Sequence, residues 1–188
     1  MTCQEKFHYG AYYHLYYRGN NKEALFKEDA NYYHFLDLYK KYLNAIAALY
    51  AYCLLPTHFH LLVRVKEYDQ IGHIYSEEGM LSRQFRTFQG TYAKEINNTY
   101  QRSGILFADR SSRKLLERDN YFFQLIVYIH QNPQIHGIAA DFKYWPFSSY
   151  YAYSRRDRRS LLAREIFSND DLYNRVMETQ EKLSMRIY

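Results

Sequence analysis

The chain contains 188 residues with a mass of 22.9 kDa, a length that fits one globular domain and can bury a core without disulfide or metal cross-links. Hydrophobic residues make up 47% of the composition, tyrosine alone occurs 23 times, and there are only seven glycines and three prolines. This excludes collagen-like, low-complexity and globally disordered chains. The formal net charge of +5 and the pI near 9.0 are compatible with a polyanionic partner.

Cysteine content, the N-terminal segment and hydropathy together predict where the protein resides. Two cysteines, Cys3 and Cys53, are too few for a disulfide framework, which favours a reducing compartment. The segment Met1–Gly10 is polar and has no apolar signal region. The longest apolar run, Ala45–Leu55, has 11 residues and is shorter than the ~20 that span a bilayer. We therefore expect an intracellular, cytoplasmic protein with no membrane partner.

Hydrophobic periodicity and turn residues predict strands and helices along most of the chain. In chain order, the predicted elements are strand Tyr12–Arg18, helix Asp29–Ala47, strands Tyr50–Leu55 and His58–Val65, helix Met80–Tyr100, strands Leu106–Asp109 and Arg113–Glu117, a helix from Asp119 or Asn120 to Asn132, and a terminal helix after Ser168. Pro133 is expected to end the helix that precedes it. This order predicts an α+β fold, with an antiparallel sheet covered by helices.

Composition also predicts how the chain is divided. There is no internal repeat and no linker-like stretch before about Ser154, so residues 1–153 are predicted to form one domain. Residues 154–188 are predicted to form a basic C-terminal extension with a helix, whose apolar positions are Leu172, Val176 and Leu183. The extension begins with the basic cluster Arg155–Arg159, which would grip a DNA hairpin, dock on the domain, or form a solvated linker.

Two histidines stand out on the strand His58–Val65. His58 and His60 are two residues apart and project from the same face, so both imidazoles could bind one metal ion. The opposite face is wholly apolar and must pack on a core; it carries Phe59, Leu61, Val63 and Val65. The alternative is that the two histidines merely occupy the polar side of a core strand.

A second pair of polar residues lies on the helix that precedes Pro133. Tyr128 and Asn132 are four residues apart and share a helix face, whereas Leu125 and Ile129 lie on the neighbouring flank and would pack the helix on the sheet. An asparagine amide oxygen is a hard ligand that can complete a site holding two imidazoles. Alternatively, Asn132 is an ordinary helix stop and Tyr128 one of many structural tyrosines.

Basic residues are concentrated between Met80 and Arg118, where the chain carries eight basic and only three acidic side chains. Phosphate contacts from such a surface position a nucleic acid strand without reading its sequence. The alternative is a solvated helix face. The candidate DNA-binding residues are Arg18, Arg83, Arg86, Lys94, Arg110, Arg113 and Lys114.

The histidine and tyrosine segments together resemble the HUH endonucleases, and specifically the IS200-like single-tyrosine transposases of the REP-associated type. The four matching stretches are YHLYYRGNN at 13–21, YCLLPTHFHLLV at 52–63, YIHQNP at 128–133 and WPFSSY at 145–150. They occur in the family's order and with similar spacing, and they cover roughly residues 10 to 153.

The resemblance implies a ferredoxin-like sheet in which His58, His60 and Asn132 bind a divalent ion, Mg²⁺ or Mn²⁺, and Tyr128 is the nucleophile. It further implies cleavage and rejoining of single-stranded or hairpin-forming DNA through a 5′-phosphotyrosine intermediate. Relatives act either as homodimers that share active sites or as monomers. Alternative functions are a non-catalytic nucleic-acid-binding protein that keeps the fold, and a metal-dependent hydrolase in which Tyr128 is only structural.

The chain departs from the family's usual residues at three places. Thr57 stands where the family usually has asparagine, and 134–137 reads QIHG where Val-Arg-Ala-Gly is common. Ser112 stands where a lysine is usual. None of these departures removes the nucleophile or a metal ligand, but they bear on the DNA contacts and on the preferred DNA sequence.

Overall fold

The structure is a computed structural model that describes residues 6–71, 79–108, 112–117 and 119–184. Its centre is a four-stranded antiparallel sheet in the order β2-β3-β1-β4. The strands are β1 (Tyr12–Arg18), β2 (Ala47–Leu55), β3 (His58–Val65) and β4 (Ser112–Leu115). A long helix follows β1 and another precedes β4, so the topology is ferredoxin-like. The predicted α+β fold is confirmed.

Seven α-helices surround the sheet in the described part of the chain. They are α1 (Asp29–Tyr42), α2 (Tyr68–Ile71), α3 (Met80–Thr99), α4 (Asp119–Ile135), α5 (Tyr150–Ser154), α6 (Arg164–Ser168) and α7 (Asp170–Ser184). Short 3₁₀ turns lie at Asn20–Lys22 and Phe142–Tyr144. Among the described residues, no helix is both long enough and apolar enough to cross a bilayer.

Helices α1 and α3 cover one face of the sheet and enclose an aromatic core. The predicted apolar face of β3 lies here, and its four residues, Phe59 among them, are fully buried. The Phe59 ring lies 4.6 Å from that of Phe35 on α1, and Phe35 lies 4.9 Å from Phe88 on α3. We call this side the core face.

Helix α4 covers the other face, which we call the histidine face. Phe122 anchors the helix there, because its ring lies 5.2 Å from Tyr12 on β1 and 5.5 Å from Tyr50 on β2. Leu125 and Ile129 are buried in the same core cluster, as their position on the flank of the helix predicts. The side chains of His58 and His60 project toward this helix.

Several predicted boundaries are wrong. Helix α1 ends at Tyr42 rather than Ala47, because Ala47 pairs with Val65 and tertiary strand pairing outweighs the local helical pattern. Of the predicted strand Leu106–Asp109, only Phe107 forms a bridge, to Gly19, and Asp109 lies outside the described residues. The next predicted strand exists and is shifted to Ser112–Leu115.

The prediction that Pro133 ends its helix is also wrong, since α4 continues to Ile135. Proline lacks the N–H that would donate within the helix, and its ring crowds the carbonyl four residues earlier. The helix closes around it because the backbone N–H of His136 donates to the carbonyl of Asn132 at 3.0 Å, and because Pro133 is buried. The side chains of the two predicted capping residues, Asp119 and Asn120, lie outside the described part of the chain.

The C-terminal extension packs against the rest of the chain. The backbone N–H of Ala163 donates to Leu49 on the outer edge of β2 at 2.7 Å. Arg156 bonds to the Phe167 carbonyl and to Asp170 within the extension. In α7, Val176 is buried and Leu172 packs on the core, whereas the side chain of Leu183 lies outside the described residues. Helix α7 packs against α4.

Candidate active site

The histidine face brings the two predicted segments together. His58 and His60 are alternate residues of β3, and α4 crosses over them with Tyr128 and Asn132 on its sheet-facing side. The Tyr128 ring lies edge-on to His60, with 5.6 Å between ring centroids. The two histidine rings are 5.4 Å apart. Residues separated by about 70 positions in sequence therefore share one pocket.

Three atoms of this pocket are buried and have no hydrogen-bond partner among the described residues. They are Nε2 of His58, Nε2 of His60 and Oδ1 of Asn132. Burying such an atom unpaired costs about 1–3 kcal/mol, so native proteins usually provide it with a partner. Imidazole nitrogen and amide oxygen are both ligands for divalent ions, so the chemistry of the three atoms suits a metal ion. This donor set is the one that the resemblance implies.

The described residues offer no other arrangement that would bind a metal. No group of three or more His, Cys, Asp or Glu side chains within them is placed to hold an ion. A metal site at this position thus depends on the amide of Asn132 beside the two histidines. The Asn132 amide nitrogen donates to the backbone carbonyl of Tyr128 at 2.7 Å, which leaves its oxygen available.

Burial keeps both candidate histidines neutral. Desolvation, with a smaller contribution from the nearby His136, lowers the pKa of His58 to about 4. Desolvation also lowers the pKa of His60 well below its usual value, with His14 and His58 adding to the effect. A neutral imidazole is the form that binds metal, so no proton has to be displaced at physiological pH.

The other ring nitrogen of each histidine has a neighbour within hydrogen-bond distance. Nδ1 of His60 lies 2.9 Å from Nε2 of His14 on β1, and Nδ1 of His58 lies 3.1 Å from Oγ1 of Thr57. The rings of His14 and His60 meet edge to edge through this contact, with 5.1 Å between centroids and 15° between planes. Sequence reasoning missed His14. The signal was present, since strand alternation places His14 on the same face as Tyr12 and Tyr16.

Tyr128 is the accessible member of the site. Its side chain is 40% exposed, whereas His60 is 3% exposed and Asn132 is fully buried. Desolvation raises the pKa of the Tyr128 phenol, and a hydrogen bond with Asn132 partly opposes that rise. The phenol is therefore protonated at neutral pH and open to a large substrate.

A second tyrosine, which the sequence analysis did not single out, lies equally near the histidines. Tyr16 pairs with His60 across β1 and β3, and their ring centroids are 4.7 Å apart. Tyr16 is half-buried and belongs to the sheet rather than to the helix that carries Asn132. It provides a natural control for Tyr128.

The sheet divides the candidate DNA-binding residues between its two faces. Arg18 is exposed at the end of β1 opposite His58, and Lys114 pairs with His14, so both belong to the histidine face. Arg113 points to the core face, where its guanidinium lies 3.6 Å from the centre of the Phe7 ring. Arg83, Arg86 and Lys94 are exposed on α3, which also covers the core face. Arg110 lies outside the described residues.

Comparisons with known proteins agree with this architecture. No family model matches the chain. A curated Haemophilus influenzae protein, whose name assigns it to the REP-associated tyrosine transposases, is 31% identical over 107 residues. The match covers 54% of this chain and 57% of that protein, so the chain spans little more than half of its relative. A solved structure of a REP-associated tyrosine transposase bound to a REP hairpin superposes with a TM-score of 0.64 at 15% identity, over 86% of this chain and 89% of that one.

The fold is that of the solved REP-associated tyrosine transposase, since the structural match covers 86% of this chain. The sequence match and the structural match both reach proteins named as REP-associated tyrosine transposases. The resemblance stated from the four motifs is confirmed.

Proposed function

We propose that the chain is a metal-dependent enzyme that cuts and rejoins single-stranded or hairpin-forming DNA through a covalent bond between Tyr128 and a 5′ phosphate. The observation that carries the proposal is the meeting of an exposed phenol with three buried ligand atoms that lack hydrogen-bond partners. The relatives support the same class, since both are named as tyrosine transposases and one was solved with a REP hairpin.

Tyr128 supplies the attacking oxygen. A phenol has an ordinary pKa near ~10 and burial raises that of Tyr128, so its proton must leave as the new bond forms. The phenolic oxygen bonds to phosphorus, the bond to the 3′ oxygen breaks, and the departing 3′ hydroxyl takes up a proton. The phosphotyrosine link retains the energy of the phosphodiester, so a second 3′ hydroxyl can reverse the step and join strands without ATP.

His58, His60 and Asn132 would hold Mg²⁺ or Mn²⁺ beside this tyrosine. When bound, such an ion draws charge from a non-bridging phosphate oxygen and stabilises the transition state. Two imidazoles favour Mn²⁺ by ligand softness, whereas cellular abundance favours Mg²⁺. The protein contributes fixed ligands on a rigid strand and helix, and it contributes their neutral protonation state.

Arg18 and Lys114 are proposed to hold the DNA backbone at the site. Both are cations on the histidine face, and phosphate contacts of this kind fix a strand's register without reading its bases.

A DNA substrate would place the protein at the nucleoid, in the cytoplasm. Because one chain brings Tyr128, Asn132 and both histidines together, the monomer rather than a homodimer with shared sites is proposed as the active unit.

Covalent capture of DNA tests the proposal. The protein is incubated with labelled single-stranded hairpin oligonucleotides and Mn²⁺ or Mg²⁺, and the products are separated on a denaturing gel. We expect a metal-dependent protein–DNA band that is absent in Tyr128→Phe and retained in the matched control Tyr16→Phe.

The other outcomes each contradict a different part of the proposal. A band that survives Tyr128→Phe but not Tyr16→Phe would identify Tyr16 as the nucleophile. Cleavage without any covalent band would indicate a hydrolase. Tight binding with neither product would indicate a nucleic-acid-binding protein that keeps the fold. A rate of adduct formation per protein that rises with protein concentration would favour a dimer.

A further inference from the structure

We propose that His14 and Thr57 are positioning residues that hold His60 and His58 in the one tautomer that can bind a metal ion. The inference rests on the metal site of the proposed function and adds two residues to it. A neutral imidazole carries one proton, and only the nitrogen without it can be a ligand. The proton must therefore lie on Nδ1 of each histidine for both Nε2 atoms to be ligands.

His14 determines which nitrogen of His60 carries the proton. Nε2 of His14 and Nδ1 of His60 are 2.9 Å apart, and between two neutral imidazoles one nitrogen must donate and the other accept. If His60 donates, its Nε2 is left with a lone pair directed into the pocket. If His14 donates instead, Nε2 of His60 carries a proton and becomes a buried donor, and no acceptor for it is found among the described residues. Only the first arrangement can be completed by a metal ion, because the ion can bind the lone pair of Nε2, whereas a buried Nε2 proton would find neither a protein acceptor nor a metal ligand role.

Packing restricts the ring as well as the proton. The His60 ring has two ring neighbours, His14, which meets its Nδ1 edge with 5.1 Å between centroids, and Tyr16, whose centroid is 4.7 Å away. Both neighbours come from β1, which pairs directly with β3. A ring held on two sides cannot turn to exchange its two nitrogens without moving the neighbours. His14 therefore sets both the orientation and the tautomer of His60.

Thr57 has the equivalent role for His58. Its Oγ1 lies 3.1 Å from Nδ1 of His58, and a hydroxyl oxygen can accept from that nitrogen while its own proton points elsewhere. The position of Thr57 is itself held, because its backbone carbonyl accepts from the N–H of Gly19 at 2.7 Å. With Nδ1 of His58 donating to Thr57, Nε2 is free of a proton, as for His60. Hydrogen bonds of this kind to the non-ligating nitrogen are what fix metal-binding histidines in other proteins.

Metal binding measured without DNA tests the proposal. Calorimetric titration of the full chain with Mn²⁺ is compared for the native protein, His14→Phe and Thr57→Val. Phenylalanine keeps an aromatic ring at position 14 and removes the acceptor, and valine is isosteric with threonine. We expect Mn²⁺ affinity to fall about 10- to 100-fold in His14→Phe, and by a smaller factor in Thr57→Val. Thr57→Ser and His14→Gln retain an acceptor and are expected to bind within a few-fold of the native protein.

A matched control separates this effect from the general loss of an imidazole. His34→Phe removes a histidine on the core face that bonds to Glu95, and Mn²⁺ affinity should not change. If His14→Phe and Thr57→Val both fold and bind Mn²⁺ within twofold of the native protein, the proposal is wrong. If His14→Phe fails to fold, Thr57→Val, which alters a half-buried turn residue, decides the question.

The tautomers can also be observed directly, without metal or DNA. Nitrogen-15 NMR of the metal-free protein should show protons on Nδ1 of His58 and His60, and a mixture of tautomers for His60 in His14→Phe. A proton on Nε2 of His60 in the native protein would overturn the proposal. If the native protein does not bind Mn²⁺ but shows the Nδ1 tautomers, the result counts against the proposed function and not against the positioning role.

Discussion

The core face of the sheet is lined with aromatic rings, whereas the histidine face contains three buried ligand atoms without hydrogen-bond partners among the described residues. Phe59 and His60 are adjacent on β3 and both are buried, but Phe59 packs against Phe35 and His60 faces Tyr128. The strand's alternation assigns one residue to folding and the next to the site. Burial alone therefore does not show that a residue serves only the fold. A buried side chain with an unpaired polar atom, such as His60, is a candidate site residue, whereas a buried apolar ring such as Phe59 is a core residue.

The largest expected effect is the loss of stability when a core-face ring is removed. Phe59→Ala should lower the free energy of unfolding by about 3–5 kcal/mol, because it removes a fully buried ring from an aromatic cluster. His60→Ala should lower it by only about 1–2 kcal/mol, since that side chain already contains an unpaired buried atom. Urea denaturation of the metal-free variants measures both. Equal losses would break the contrast between the two faces.

A metal ion bound at the histidine face should raise the free energy of unfolding of the whole chain. At a Mn²⁺ concentration 100 times its Kd, the free energy of unfolding should rise by about 2.7 kcal/mol, because the ion binds only the folded chain. The double variant His58→Ala, Asn132→Ala removes two of the three candidate ligands and should show no such rise. Thermal unfolding with and without EDTA provides the measurement. Stabilisation of the double variant to the same extent would place the ion elsewhere.

The C-terminal helix α7 should stabilise α4, the helix that carries Tyr128 and Asn132. His130, buried on α4 between Tyr128 and Asn132, lies 3.1 Å from Oε1 of Gln180 on α7 and 2.9 Å from Oγ of Ser149. Gln180→Leu leaves one nitrogen of a buried imidazole unpaired and should lower the free energy of unfolding by about 1–3 kcal/mol.

The exposed position Lys182 on the same helix provides the control for Gln180. Lys182→Ala should change the free energy of unfolding by less than about 0.5 kcal/mol. Hydrogen exchange of the α4 amides shows where any loss is felt, and we expect faster exchange in Gln180→Leu alone. Unchanged exchange in that variant would mean that α7 does not support the helix that carries the nucleophile.

The smallest expected effect concerns the DNA contacts, and it tests whether the two faces differ in function. Lys114→Ala on the histidine face should weaken binding of a single-stranded oligonucleotide and reduce the slope of log K against log salt by about 0.7. Arg86→Ala, an equal loss of charge on α3, should leave that slope unchanged. Fluorescence anisotropy over a series of salt concentrations measures both. The reverse result would place the DNA on the core face.

Local signals predicted the individual elements of this site well. The bounds of β1 and β3 follow from alternation and turn residues, and the Tyr128–Asn132 face follows from helical spacing. Two helix ends were predicted wrongly. Ala47 was assigned to a helix but pairs with a strand, and Pro133 was expected to end α4 but is buried within it. His14 was overlooked because alternation shows only which face of β1 it occupies and not which residue it meets. Its role depends on lying beside His60, which is 46 residues away.

By itself, the sequence determined the α+β class, the apolar face of β3, and the pairs His58 with His60 and Tyr128 with Asn132, because each depends on residues close together in the chain. Only the tertiary structure decided that the two pairs share a pocket and that their ligand atoms are left unpaired. It also decided that the basic stretch is divided between two faces and that the extension docks behind α4. The physical reason is that local periodicity specifies which way a side chain points, whereas strand pairing and helix packing specify what it meets.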